Sequence, residues 1–202
     1  MRRDETAPRA WQRMLSGRRL DLLDPSPLDI EIEDVAHGLA RVARWNGQTI
    51  GAHAFSVAEH SLLVEELVRR LAPQTERRWL RAALLHDAPE YVIGDLISPF
   101  KAVLGDDYKA VERAILQAVH LRFSLPTELP VRVGQLIKRA DQAAAFLEAT
   151  QLAGFGDREA ARYFGRPGRL RGARLDRLFD LAPLPTAAAQ EKFLARFAAL
   201  TD

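Results

Sequence analysis

Ionisable side chains lie on the apolar faces of three predicted helices, where charged groups are rarely found. Residues spaced by three, four or seven positions share one face of a helix. His60, for example, falls in line with Val57 and Val64, and Asp141 falls in line with Ile137. The adjacent pair His86-Asp87 lies on the remaining one of these helices, predicted over about 76–87. The residues singled out by this pattern are His60, His86, Asp87 and Asp141.

One divalent cation accounts for these four side chains together. A buried carboxylate is costly unless a partner compensates its charge. Two imidazoles and two carboxylates suit a first-row transition metal such as Mn, Fe, Co, Ni or Zn, and an octahedral ion keeps positions for water and substrate. The chain has no cysteine, which excludes thiolate catalysis and every Cys-ligated metal site. The sequence thus predicts a metal held by nitrogen and oxygen ligands.

Each of the four residues also has a structural interpretation of its own. His60 fits a hydrogen-bonded core histidine. His86 and Asp87 fit a cap at the carboxyl end of a helix. Asp141 fits an ion pair with Arg139. Their joint occurrence on helices that the apolar pattern turns inward favours the metal site.

A series of predicted helices must position these residues. Apolar periodicity and breaker residues predict helices over about 32–43, 57–71, 76–87, 108–121, 131–151 and 187–200. Ser56 followed by Glu59 is a capping-box pattern for the second of them. Pro89 indicates a kink or a fresh turn after His86 and Asp87, which lets adjacent residues reach one ion. The only strand-like stretch is 28–32, so the predicted fold class is all-α.

Length and composition limit the range of functions. The 202 residues, 48% hydrophobic and 28% charged, are typical of one globular domain. Lys and Arg number 29 against 27 Asp and Glu, and they are spread along the chain, so no surface for a nucleic-acid polymer is indicated. There is neither a membrane-length apolar run nor an apolar signal segment. We therefore expect a cytoplasmic protein without membrane or nucleic-acid partners.

Three motifs resemble the H…HD…D signature of the HD-domain metal-dependent phosphohydrolases. They are Glu59-His60-Ser61, the stretch from Leu84 to Tyr91 with Gly94-Asp95, and Lys138-Arg139-Ala140-Asp141. Within this superfamily the sequence is most similar to the small bacterial 5′-deoxynucleotidases of the YfbR type, over about residues 41–151. The resemblance implies an HD-domain helical bundle with a metal centre between its helices.

The resemblance also implies a role for each matching residue. The ligands of one divalent ion would be His60, His86, Asp87 and Asp141, with the choice among Co, Mn, Zn, Fe, Ni and Mg open. Glu90 corresponds to the acid beside the metal-bound water and Asp95 to a second acid of the pocket, so both are candidate catalytic residues. Arg44 and Trp45 look like the family's Arg-Trp pair that contacts the nucleotide. The alternatives are a surface ion pair of Arg44 with Glu33 and a core position for Trp45.

The predicted organisation is an N-terminal arm over residues 1–27 and a single HD domain over 28–202. The domain comprises a metal-site core, 41–151, and a C-terminal helical extension, 152–202. The resemblance implies a homodimer, with which the apolar helix predicted over 187–200 is compatible.

The implied function is hydrolysis of nucleoside 5′-monophosphates, deoxy forms above all, to nucleoside and phosphate. One alternative is a dNTP triphosphohydrolase, whose longer anion would need cations such as Lys101, Lys109 or Arg139. Another, of a different class, is a nucleotide-binding sensor that does not turn its ligand over. Hydrolysis of a guanosine alarmone is a third alternative, usually found in longer chains.

Overall fold

Helices dominate the computed structural model of the chain, which describes residues 10–96, 106–167, 169–170, 173–174 and 179–201. This confirms the predicted all-α class. The α-helices are α1 (Ile32–Leu39), α2 (Val57–Leu71), α3 (Arg77–Leu84), α4 (Glu90–Ile93), α5 (Asp106–Arg122), α6 (Val131–Gln151), α7 (Asp157–Phe164) and α8 (Thr186–Thr201). Lys101, the first nine residues and much of the arginine-rich tail lie outside the described residues.

Helix α2 lies at the centre of the core and begins at the predicted capping box. The Glu59 backbone N–H donates to Ser56 Oγ at 3.3 Å, and the Ser56 N–H donates to Glu59 Oε2 at 2.9 Å. The helix packs against α3, α6 and α8 through fully buried side chains such as Val64 and Leu67. Because His60 follows Glu59 directly, this helix start sets its position.

Two helices end earlier than predicted. Helix α1 ends at Leu39 rather than near residue 43, because Ala43 is extended and pairs with Ser56 in an antiparallel bridge. Helix α3 ends at Leu84 rather than at Asp87, and Pro89 leads into α4. A proline has no N–H to continue the preceding helix, so a fresh turn follows His86 and Asp87, as Pro89 indicated.

Short strands lie where the sequence pattern indicated none. Strands β1 (Trp11–Arg13) and β2 (Arg19–Asp21) form an antiparallel hairpin, and Leu20 is fully buried in the core. Strands β3 (Arg169–Leu170) and β4 (Ala173–Arg174) pair in the C-terminal extension. The expected strand over 28–32 was wrong, because Ser26 caps a 3-10 helix at Pro27–Asp29. The domain boundary at residue 27 stays a prediction.

The apolar face of α8 is used inside the fold. Ala189, Phe193, Phe197 and Leu200 are all buried, and the helix packs against α1, α2 and α3. This face therefore no longer supports a homodimer. Within the part of the chain that the structure describes, no helix has the length and apolar character to cross a membrane.

Candidate metal centre

Helix α2 carries His60 into the cluster of the four predicted metal ligands, His60, His86, Asp87 and Asp141. The side chain is fully buried, and its Nδ1 lies 2.5 Å from Glu148 Oε1 on α6. Because an ionised carboxylate can only accept, the Nδ1–H donates, and in the neutral ring Nε2 is then a bare acceptor. A carboxylate often orients a metal-ligating imidazole in this way.

The turn after α3 brings His86 and Asp87 to the same point. His86 Nδ1 donates to the Ala83 carbonyl oxygen at 2.9 Å, so its Nε2 is also bare. That nitrogen lies 3.3 Å from Asp87 Oδ2. His86 thus caps the end of α3, as its structural interpretation predicted, while its second nitrogen faces the cluster.

All four predicted ligands come together. His60 Nε2 lies 3.3 Å from Asp87 Oδ2 and 3.2 Å from Asp141 Oδ1. Ligand atoms of His60, His86 and Asp141 all lie within 4.8 Å of one another. Two helices, α2 and α6, and the turn after α3 therefore supply two nitrogens and two carboxylates to one small volume.

Two buried imidazole nitrogens fit a cation as their partner. His60 Nε2 and His86 Nε2 make no well-directed hydrogen bond among the described residues, although carboxylate oxygens of Asp87 and Asp141 lie 3.2–3.3 Å away. Burial would raise the pKa of Asp87 and Asp141, but the neighbouring imidazoles outweigh it and hold the pKa of both carboxyls below the usual range. Two ionised carboxylates beside two bare nitrogens suit a divalent ion.

The electrostatics around His60 agree with this assignment. Burial and Arg44 lower the pKa of His60, but Glu148, Asp141 and Asp87 outweigh them and raise this pKa well above its usual value. The surrounding carboxylates therefore favour a positive charge at Nε2. A divalent ion bound there supplies that charge and leaves the imidazole free to ligate.

Arg44 lies beside the cluster with 14% of its side chain exposed, and two acids hold it. Its Nη1 donates to Asp95 Oδ2 at 2.9 Å, and its Nε donates to Glu148 Oε2 at 3.2 Å. Burial lowers the pKa of Arg44, but the charges of Glu148, Asp95, Asp87 and Glu90 outweigh it and raise that pKa. Arg44 is therefore a permanent cation within the site, and the surface ion pair with Glu33 is not its arrangement.

The neighbouring residue, Trp45, begins a turn of left-handed backbone conformation. Trp45, Asn46 and Gly47 have φ values of 56°, 49° and 74°, a strained conformation for a bulky side chain. The Trp45 indole N–H donates to Glu148 Oε2 at 2.9 Å, and its ring lies 5.6 Å from those of Phe155 and Phe164. These contacts hold the turn and fix the indole ring beside Arg44.

Glu90 begins α4, directly after the turn that holds His86 and Asp87. Only 2% of its surface is exposed, and its charge contributes to the raised pKa of Arg44. Both predicted catalytic acids therefore lie near Arg44: Asp95 is in contact with its guanidinium, and Glu90 is within electrostatic reach.

The sequence analysis missed Glu148, which links these parts. It is fully buried and accepts hydrogen bonds from His60, Arg44 and Trp45. Burial would raise the pKa of Glu148, but Arg44 and His60 outweigh it and lower that pKa to about 2. The signal was present, because residue 148 lies two turns beyond Asp141 on the same helix face.

A cavity of about 330 Å³ opens beside His86 and Asp141. Apolar side chains form most of its wall. The described residues that line it are Ala82, His86, Leu116, His120, Leu129, Gly134, Ile137, Lys138 and Asp141. Of the histidines outside the cluster, His53 is exposed, whereas His120 is buried in the cavity wall.

A comparison with known protein families matches the part of the chain that contains the site. Residues 34–166 match the family described as 5′-deoxynucleotidase YfbR-like. An uncharacterised protein of Rhodobacter capsulatus is 64% identical over 159 residues, which cover 79% of this chain and 81% of that protein. The uncharacterised protein YfdR of Escherichia coli is 30% identical over 176 residues, 86% of each chain.

A solved structure has the same fold. The HD phosphohydrolase DatZ of cyanophage S-2L, bound to dA and one catalytic Zn²⁺ ion, aligns with a TM-score of 0.51. Its sequence identity is 21%, and the alignment covers 85% of this chain and 96% of that one. At this identity the likeness concerns the fold.

Proposed function

Because the chain belongs to the YfbR-like 5′-deoxynucleotidase family, we propose that it hydrolyses nucleoside 5′-monophosphates, deoxy forms above all, to nucleoside and phosphate. Family membership confirms the HD-domain metal-dependent phosphohydrolase that the motifs predicted. One observation carries the proposal: two bare, buried imidazole nitrogens converge with two carboxylates.

The proposed metal ligands are His60, His86, Asp87 and Asp141. The donor set suits Co, Mn, Zn, Fe or Ni, and less well the oxygen-seeking Mg. DatZ, which has the same fold, binds one catalytic Zn²⁺ ion, and this supports a metal ion in the present chain. When bound, such an ion lowers the pKa of a coordinated water and polarises a phosphoryl oxygen.

Arg44 is the proposed partner of the substrate phosphate. Asp95 and Glu148 each take one N–H of the guanidinium, which fixes its plane and leaves other N–H groups for phosphate oxygens. Asp95 therefore contributes by positioning Arg44. Trp45, held by Glu148, provides a rigid ring beside Arg44 for contact with the nucleotide.

Glu90 is the proposed proton-transfer residue. A carboxylate within reach of the attacking water can take its proton and later return one to the leaving 5′-oxygen. The position of Glu90, nearly buried at the start of α4, keeps bulk water from competing for that proton. Arg44 and Asp95 then neutralise and orient without transferring the proton themselves.

Product analysis tests the function. Protein stripped of metal would be incubated with NMPs, dNMPs and dNTPs, with Co²⁺, Mn²⁺, Zn²⁺ or Mg²⁺ added back. We expect metal-dependent release of inorganic phosphate from the monophosphates. Tripolyphosphate from a dNTP would instead identify a triphosphohydrolase. No product from any substrate would contradict catalysis.

Variants separate an enzyme from a sensor. Glu90→Gln should abolish turnover and retain metal, whereas Glu128→Gln, at an exposed position, should leave both unchanged. If Glu90→Gln retained full activity, the assigned proton transfer would be wrong. Metal and nucleotide binding by the wild type without any turnover would favour the sensor.

Two further expectations remain proposals. A homodimer and a cytoplasmic location follow from the family resemblance and from the sequence as expectations only. Light scattering of the purified chain would determine its oligomeric state, and fractionation of the source cells would determine its location.

A further inference from the structure

The cavity beside the metal centre contains a polar atom that the proposed reaction leaves unexplained. His120 is 2% exposed and lines the cavity together with the metal-site residues His86 and Asp141. Its Nε2 is buried and makes no hydrogen bond among the residues that the structure describes. A buried acceptor without a partner is destabilising, so a ligand that satisfies it is expected.

The opposite edge of the His120 ring determines what that ligand must offer. His120 Nδ1 lies 3.0 Å from the Pro126 carbonyl oxygen, to which only an N–H can donate. In the neutral ring Nε2 is then a hydrogen-bond acceptor. Burial lowers the pKa of His120 more than its backbone hydrogen bonds raise it, which agrees with a neutral ring. The ligand must therefore present a donor.

The rest of the wall selects a flat apolar group rather than an anion. Ala82, Leu116, Leu129 and Ile137 form most of the surface, and Lys138 is the only lysine or arginine among the described residues that line it. A phosphate chain needs several donors, which the described part of this wall does not supply. An apolar pocket of about 330 Å³ with one polar anchor is typical of a small-molecule site.

We propose that this cavity binds the nucleobase of the substrate and that His120 Nε2 accepts a hydrogen bond from an exocyclic amino group of that base. The inference rests on the proposed function, which places the phosphate at the adjacent metal centre. The amino group of adenine or cytosine supplies the required donor at the edge where guanine, uracil and thymine carry a carbonyl oxygen. The carbonyl oxygen at the corresponding edge of uracil or thymine would face the lone pair of Nε2 and be disfavoured.

Nucleoside binding tests this proposal without requiring turnover. Calorimetry on the metal-loaded full chain would compare deoxyadenosine with purine deoxyriboside, and deoxycytidine with pyrimidinone deoxyriboside. Each pair differs only by the amino group. In at least one pair we expect the amino nucleoside to bind about 5- to 150-fold more tightly.

Two variants show whether His120 causes the preference. In His120→Asn the amide nitrogen can still donate to Pro126 while the Nε2 acceptor is lost, so the protein should fold and the preference should fall below about twofold. The exposed control His53→Asn should keep the full preference. Thermal unfolding of both variants checks that they are folded.

Each outcome is decisive. A preference that His120→Asn removes supports the base pocket, even if no phosphate is released and the proposed function fails. The proposal is overturned if neither pair shows a preference, if His120→Asn retains it, or if tripolyphosphate binds and nucleosides do not. In those cases hydrolysis of monophosphates would leave the proposed function standing.

Discussion

Replacing Glu148 by glutamine is expected to weaken metal binding and lower stability while leaving the protein folded. The carboxylate accepts hydrogen bonds from His60 Nδ1 at 2.5 Å, Trp45 Nε1 at 2.9 Å and Arg44 Nε at 3.2 Å. A glutamine keeps one acceptor oxygen and replaces the other by an NH₂ group. At least one buried donor therefore loses its partner, and His60 loses the carboxylate that orients it.

The loss in free energy of unfolding caused by Glu148→Gln can be calculated in two ways, and the results are similar. A buried donor without its partner costs about 1–3 kcal/mol. Burial would raise the pKa of Glu148, but Arg44 and His60 lower it from 4.5 to about 2, and at about 1.4 kcal/mol per pKa unit this corresponds to about 3 kcal/mol. Loss of such a ligand-orienting partner typically lowers metal affinity about 10- to 100-fold.

The stability difference should depend on pH in a defined direction. A carboxyl whose folded-state pKa lies below its unfolded value stabilises the protein above the unfolded pKa, and this contribution is lost as the pH falls through the folded pKa. The difference between wild type and Glu148→Gln, measured by urea unfolding of metal-free protein, should be largest above about pH 5. It should shrink between about pH 4 and pH 2.

Cobalt titration is the decisive assay. The visible absorption of bound Co²⁺, with a competing chelator, would give the affinity of Glu148→Gln and of the exposed control Glu128→Gln. If the two variants bound Co²⁺ equally well and unfolded at the same urea concentration, Glu148 would not orient His60. The assignment of Glu148 as the link between ligand and guanidinium would then be refuted.

Four other perturbations have expected outcomes. Gly38→Ala would place a Cβ 2.7 Å from Tyr91 Cβ and carbonyl oxygen, so urea unfolding should show a loss of about 1–3 kcal/mol. Gly134→Ala meets nothing within 4 Å and should be neutral or gain up to about 1 kcal/mol. Arg196→Ala removes both guanidinium donors to the buried Glu65 carboxylate, at 2.8 and 2.6 Å. The free energy of unfolding should fall by about 1–3 kcal/mol, since Arg196 is partly exposed. Arg196→Lys should recover part of this loss. Adding Zn²⁺ at about 100 times its Kd to stripped protein should raise the unfolding free energy by about 2.7 kcal/mol, and an unchanged thermal midpoint would contradict a metal bound by the folded state.

Local signals predicted the elements that carry the site. Pro130 and the Gly154-Phe155-Gly156 break bracket α6, and its bounds, Val131–Gln151, coincide with the prediction. Ser56 and Glu59 form the predicted capping box. Such signals depend on residues a few positions apart, so the sequence alone contains them.

The β1–β2 hairpin and the position of Arg44 depend on tertiary contacts, which the sequence pattern did not indicate. The β1–β2 hairpin has strands of three residues, too short for a periodic signal, and depends on buried Leu20 and on hydrogen bonds from Ser16 to Asp34. Arg44 is likewise held in the site by Asp95 and Glu148, which are 51 and 104 residues away in the sequence. Contacts of that range leave no local pattern.

Glu59 shows how the two kinds of information combine at the metal centre. Its Oε2 accepts hydrogen bonds from the Ser56 N–H at 2.9 Å and hydroxyl at 2.7 Å, which the sequence predicted as a helix cap. Its Oε1 accepts from the Leu184 N–H at 2.8 Å, across 125 residues. The local cap determines where His60 lies on α2, and the distant contact ties that same first turn to the segment before α8. A carboxylate recognised for its local role therefore also couples the C-terminal extension to the position of a metal ligand.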